Sequence, residues 1–138
     1  MTADGPIINV LVGVSNLRFQ ALLAANQPQP QPITVPMLID SGSSRCCVDQ
    51  GVLAPLGLRP IGNVTMHTAT TGGSSVSCDQ YDVSLMIQHL QSPFFVPIIR
   101  VVECRPLGGT IQGLLGRDFL SRCLFLFQGE IQAFSLAF

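Results

Sequence analysis

The segment ITVPMLIDSGSS, Ile33 to Ser44, is mostly apolar for a strand's length, meets a carboxylate at Asp40 and turns at once on Ser41 and Gly42. It constrains the fold more than any other stretch. The apolar run needs a buried sheet face. The acid at its end needs hydrogen-bond partners, because an unpaired ionised carboxylate in apolar surroundings loses several kcal/mol of hydration. Two readings are open: Asp40 caps a turn, or its surroundings are arranged for chemistry.

The rest of the chain reads as strands around that segment. IINVLVGV (Ile7 to Val14) is a β-branched run suited to a strand. NLRFQALLAAN is one more strand or a short helix, since its periodicity does not separate the two. QPQPQP (27–32) is an extended surface insertion between two strands, because alternate prolines remove ladder donors. Pro36 argues for an edge position or a bulge in the next strand. CVDQGVLAPLGL holds a short helical turn before Pro55. NVTMHTATTGGSSVSCDQYDVSLMIQHL gives two strands around a glycine-rich tip at 70–75. SPFFVPIIRVVEC is a strand pair or one bent strand. A short helix is expected from Arg117 to Cys123, then a closing hairpin that turns at Gln128 and Gly129. The expected fold is all-β, one domain over 1–138, with one short helix near the C-terminus. There is no internal repeat, so the chain carries one Asp-Ser-Gly.

Composition narrows the function. Hydrophobic residues make up 47% of the chain and charged ones only 11%, so apolar surface has to be hidden, and self-association is expected. A net charge of −1 gives no footprint for nucleic acid. All seven basic residues are Arg, which removes lysine Schiff-base and P-loop chemistry. No apolar run reaches the roughly eighteen residues of a membrane span. MTADGPIINVLVGV lacks a basic n-region and a cleavage site; a complete chain would then belong in the cytoplasm, and a domain cut from a longer precursor is equally open. The five Cys show no CxxC and no metal-ligand spacing with His67 or His89, so neither a disulfide framework nor a metal site is expected. Cys46 and Cys47 lack an activating neighbour for thiol chemistry. Phe94 and Phe95 read as core.

Three features in chain order then stand out: Leu-Ile-Asp-Ser-Gly-Ser-Ser at 38–44, the glycine-rich tip, and Gly-Leu-Leu-Gly-Arg-Asp-Phe-Leu at 113–120. Together they resemble the retropepsin-like aspartic proteases over roughly Ile33 to Phe138. The first is similar to that family's Asp-Thr/Ser-Gly-Ala/Ser loop, the second signature to its apolar-apolar-Gly-Arg-Asp/Asn segment.

The resemblance implies a small acid-protease β-barrel that works as a two-fold homodimer without cofactor. Asp40 would be the catalytic residue, supported by Ser41, Gly42 and Ser43. Ser41 would hydrogen-bond across the paired loops, and Gly42 would allow their close approach. Thr70, Thr71, Gly72, Gly73 and Ser74 would form the flap over a peptide substrate. Leu114, Leu115 and Gly116 would pack beneath the loop, with Arg117 and Asp118 completing the second signature. Ser44 stands where some viral members have an Asp that pairs this Arg, which leaves Asp118 as a local partner for Arg117. The C-terminal hairpin is the expected dimer contact. An inactive dimerisation or peptide-binding module is the alternative, to be separated by peptide turnover at acidic pH with and without pepstatin.

Overall fold

The computed structural model describes residues 5–67, 75–104 and 109–138. β1 (Ile7–Val14) leads into helix α1 (Asn16–Ala24), and β2 (Ile33–Ile39) follows the Pro-Gln segment. β3 (Cys47–Asp49), α2 (Gln50–Leu53) and a 3-10 turn (Ala54–Leu56) precede a long hairpin of β4 (Gly62–His67) and β5 (Ser75–Ile87). β6 (Phe94–Cys104), β7 (Gly113–Leu115) and α3 (Arg117–Leu120) come next, and β8 (Leu124–Gln128) and β9 (Ala133–Ala137) end the chain.

Six strands close into a barrel in the order β1-β2-β7-β3-β6-β5, sealed by β5 pairing back to β1. Closure removes the open edges that an exposed sheet would present. Side chains alternate as the pleat requires: Val10, Val12, Val35, Met37 and Ile39 point inward from β1 and β2. β6 is one strand, bent. Its register against β5 shifts between Val83↔Ile99 and Leu85↔Val96, and this bulge changes the inward parity, so that Val96 and then Ile99 and Val101 face the core. Phe119, Met37, Leu53, Leu56, Leu85 and Leu115 fill the centre.

Several expectations are refined. The stretch after β1 is a helix, started by Ser15, whose hydroxyl accepts from Arg18 N at 3.2 Å. The fold therefore has helical segments well before the C-terminal one. The Pro-Gln segment joins α1 to β2 instead of joining two strands. Pro36 lies in a central strand, not at an edge. Its nitrogen faces the β7 side, where pairing begins one residue later at Met37↔Gly113, so no ladder donor is lost. α3 ends at Leu120, and the last hairpin turns over 129–132, since Gln128 still pairs with Ala133.

β4 pairs only with β5, from Gly62↔Gln80 to His67↔Ser75, so this hairpin extends the sheet beyond the barrel. Thr70, Thr71, Gly72, Gly73 and Ser74, expected as the flap, lie outside the described residues. β8 and β9 form a separate two-stranded sheet. Among the described residues no helix is long and apolar enough to cross a membrane.

Candidate active site

Asp40 is the first residue past β2, and the sheet itself delivers it. β2 lies between β1, antiparallel, and β7, parallel. The ladder's last bond toward β7 runs from Asp40 N to Leu115 O at 3.0 Å. The chain then turns. Ser43 N donates to Asp40 O at 3.1 Å, and Gly42 N donates to Asp40 Oδ1 at 2.9 Å. One carboxylate oxygen thus fixes the turn, while Oδ2 has no hydrogen-bond partner among the described residues. The half-buried carboxylate is both a cap and, through its second oxygen, available.

The second signature holds this loop from behind. Arg117 N donates to Ser43 O at 2.9 Å, and Arg117 Nη1 donates to Ser41 O at 2.9 Å and Gly42 O at 3.1 Å. The guanidinium therefore reads the loop's main chain. It does not pair with Asp118: among the described residues the one ion pair is Arg100–Asp82. Asp118 instead receives Cys46 N at 3.0 and 3.1 Å on its two oxygens, the Cys46 thiol at 3.0 Å and Phe119 N at 2.8 Å.

Backbone packs on backbone between the two segments. A Cβ on Gly116 would stand 2.5 Å from the carbonyl carbon and oxygen of Arg45, so only glycine fits. Leu115 is fully buried under the loop, and Leu114 is half-buried beside it. Ser43 ties down the loop's far end, its hydroxyl donating to Arg45 O at 2.7 Å. The Ser41 hydroxyl makes no hydrogen bond among the described residues.

Cys46 is the residue that sequence reasoning missed. Its thiol donates to Asp118 and accepts from Gly116 N at 3.4 Å, joining the segment after the Asp40 loop to the second signature. Burial, reinforced by the neighbouring Asp118 carboxylate, pushes the thiol well above its ordinary range. It is a protonated hydrogen-bond donor, the opposite of an activated nucleophile. A small buried Cys beside a signature loop carries no local sign of such a role.

His67 and His89 are exposed, and His89 Nδ1 accepts from Gln91 N at 3.3 Å. No group of three metal-ligating side chains occurs among the described residues. Phe94 meets Phe119 edge-on at 5.5 Å and stacks on Phe138 at 4.7 Å, whereas Phe95 is exposed.

The family model described as "Aspartyl protease" matches residues 26–119. The chain is similar in structure to a retropepsin-like aspartic protease from Rickettsia conorii, with a TM-score of 0.54, 17% identity and coverage of 99% of this chain and 84% of that one. It is also similar to EIAV protease complexed with the inhibitor HBY-793, with a TM-score of 0.49, 15% identity and coverage of 86% of each chain. A search of curated proteins gives no significant match.

Proposed function

Because the chain belongs to the aspartyl proteases, of the retropepsin-like kind, we propose that it is a homodimeric aspartic endopeptidase whose catalytic carboxylate is Asp40. One observation carries this reading. Asp40 is presented at the end of a central barrel strand, one oxygen held by Gly42 and the other unpartnered among the described residues, in a loop clamped by Arg117 and Gly116.

The chemistry needs two carboxylates. One stays protonated and polarises the scissile carbonyl, while the other takes a proton from a water held between them. A chain with one Asp-Ser-Gly supplies half of that pair, and a two-fold axis supplies the rest. The C-terminal hairpin supports this arrangement. Phe125, Phe134 and Leu136 pack this hairpin on the core, while Leu124, Leu126 and Phe127 stay exposed at 70%, 52% and 48% and leave an apolar outer face. Pairing with a second copy would cover them.

In the dimer the Ser41 hydroxyl bonds across to the partner loop, and Gly42 admits the close approach. Leu114 and Leu115 keep water from beneath the loop. The β4–β5 hairpin carries Thr70 to Ser74 over an extended, apolar-rich peptide, whose backbone pairs with strand edges. Each copy contributes the whole of 1–138 as one domain.

Asp40→Asn and Asp40→Ala should each abolish cleavage of extended apolar peptides while the circular dichroism of the folded protein is kept. Wild-type turnover in either variant would end the reading. Two facing carboxylates share one proton, so kcat/KM should trace a bell in the acidic range, about pH 3.5 to 6. Pepstatin should inhibit it.

A further inference from the structure

A cleft of about 420 Å³ opens beside the Asp40 loop, between Ser44 and Arg45, the Ile98–Arg100 stretch of β6, and Asp118 and Arg122. Three of the chain's seven basic residues line it, in a molecule whose net charge is −1. The cleft keeps a net positive charge: Arg45 and Arg122 stand against the single carboxylate of Asp118, and Arg100 is balanced by Asp82. Asp118 is turned toward Cys46 and Phe119. Arg100 is paired with Asp82 at 3.1 Å. Arg45 and Arg122 form no ion pair among the described residues.

Two unpaired guanidinium groups in one cleft repel each other and lower the cost of bringing in an anion. Their planar forks suit a carboxylate. Ile98 and Ile99 add an apolar wall, which fits the aliphatic stem of an acidic side chain better than a bare inorganic ion. Ser44 and Arg45 directly continue the loop that presents Asp40, so the cleft adjoins that loop.

We propose that this cleft selects peptide substrates that carry a carboxylate side chain a few residues from the scissile bond, received by Arg45 and Arg122. The inference rests on the proteolytic reading above and adds a charge to the substrate class.

The test uses pairs of fluorogenic peptides that are identical except for Glu or Gln, scanned through the positions flanking the scissile pair. For wild-type protein at least one position should give a Glu-to-Gln ratio of kcat/KM of about three to ten, the size expected of one or two partly exposed charge pairs. That ratio should fall toward one in roughly 1 M salt. Arg45→Gln and Arg122→Gln should each lower it, and Arg45→Glu should invert it. The ratio is internal to each variant, so a change in overall activity does not disguise the result. Cleavage of both peptides at equal rates at every position overturns the cleft and leaves the protease standing. If no peptide is cleaved, the protease reading fails, and binding of the labelled peptide pairs to the Asp40→Asn protein, read by fluorescence anisotropy, decides the cleft: tighter binding of Glu supports it, equal binding overturns it.

Discussion

The carboxylate of Asp118 takes both the main-chain N–H and the thiol of Cys46, two residues 72 positions apart. This is the latch between the two signature segments. Asp118→Ala leaves Cys46 N and the Cys46 thiol without their acceptor, while Phe119 N keeps Gly116 O at 3.1 Å, and each such loss costs about 1–3 kcal/mol. The unfolding free energy should drop by roughly 2–4 kcal/mol in urea titrations. Asp118→Asn keeps one acceptor oxygen and should lose less. Equal stability of the alanine variant and wild type would remove the latch.

The same thiol makes stability depend on alkaline pH. Its folded value is raised above the ordinary 9.0 by burial and by Asp118. Below pH 9 both folded and unfolded chains keep the proton, and the contribution is fully present. Above it the unfolded chain releases the proton while the folded one holds it, so stability falls as pH rises. The slope from this one group is about 1.4 kcal/mol per pH unit. Burial pushes Cys123 the same way, so the useful comparison is with Cys46→Ala. Urea unfolding between pH 8 and 10.5 should show a steeper decline in wild type than in that variant.

Arg117 holds the loop through main-chain carbonyls, so its removal should act on geometry more than on charge. Arg117→Ala is expected to lower kcat/KM roughly ten- to hundredfold, the scale of a small misplacement of reacting groups. Arg117→Lys keeps a donor near Ser41 O and Gly42 O and should recover part of the loss. Full activity in the alanine variant would show that the loop keeps its shape unaided.

Leu126, 52% exposed in the middle of β8, tests the dimer. Leu126→Glu puts a charge where a second copy should pack, at little cost to a free chain. Sedimentation should shift from dimer toward monomer, and cleavage should become strongly dependent on protein concentration. The wild-type interface should exceed the standard size of roughly 1,600 Å². An active species that sediments as a monomer at every concentration would contradict the arrangement.

Strand runs and hairpins were legible because β-branched alternation and Gly or Pro punctuation are local signals, as β1 and the β4–β5 pair illustrate. The close approach at Gly116 was also legible, although its partner, Arg45, was not. Helix α1 stayed ambiguous for a physical reason: none of its residues is buried, so no apolar face with a helical period was written into it. Ser15 just before it, a side-chain cap, was the signal that could have decided the matter. Pro36 misled because a missing donor matters only on the side that has a neighbour at that residue. The roles of Cys46 and Asp118 were invisible because the β3–β7 pairing, Cys47 opposite Leu114, and not the local sequence, brings them together.

The clamp on the Asp40 loop spans 76 positions, from Ser41 to Arg117. During synthesis β2 leaves the ribosome long before β7 and α3 exist. Until Arg117 has emerged, the loop lacks its ladder bond to Leu115, its guanidinium clamp and the Gly116 seat. A growing copy therefore carries its carboxylate on an unshaped segment. Under the proposed proteolytic reading, an Asp40 that cuts only from the shaped loop would gain its activity after nearly all of the barrel has been made.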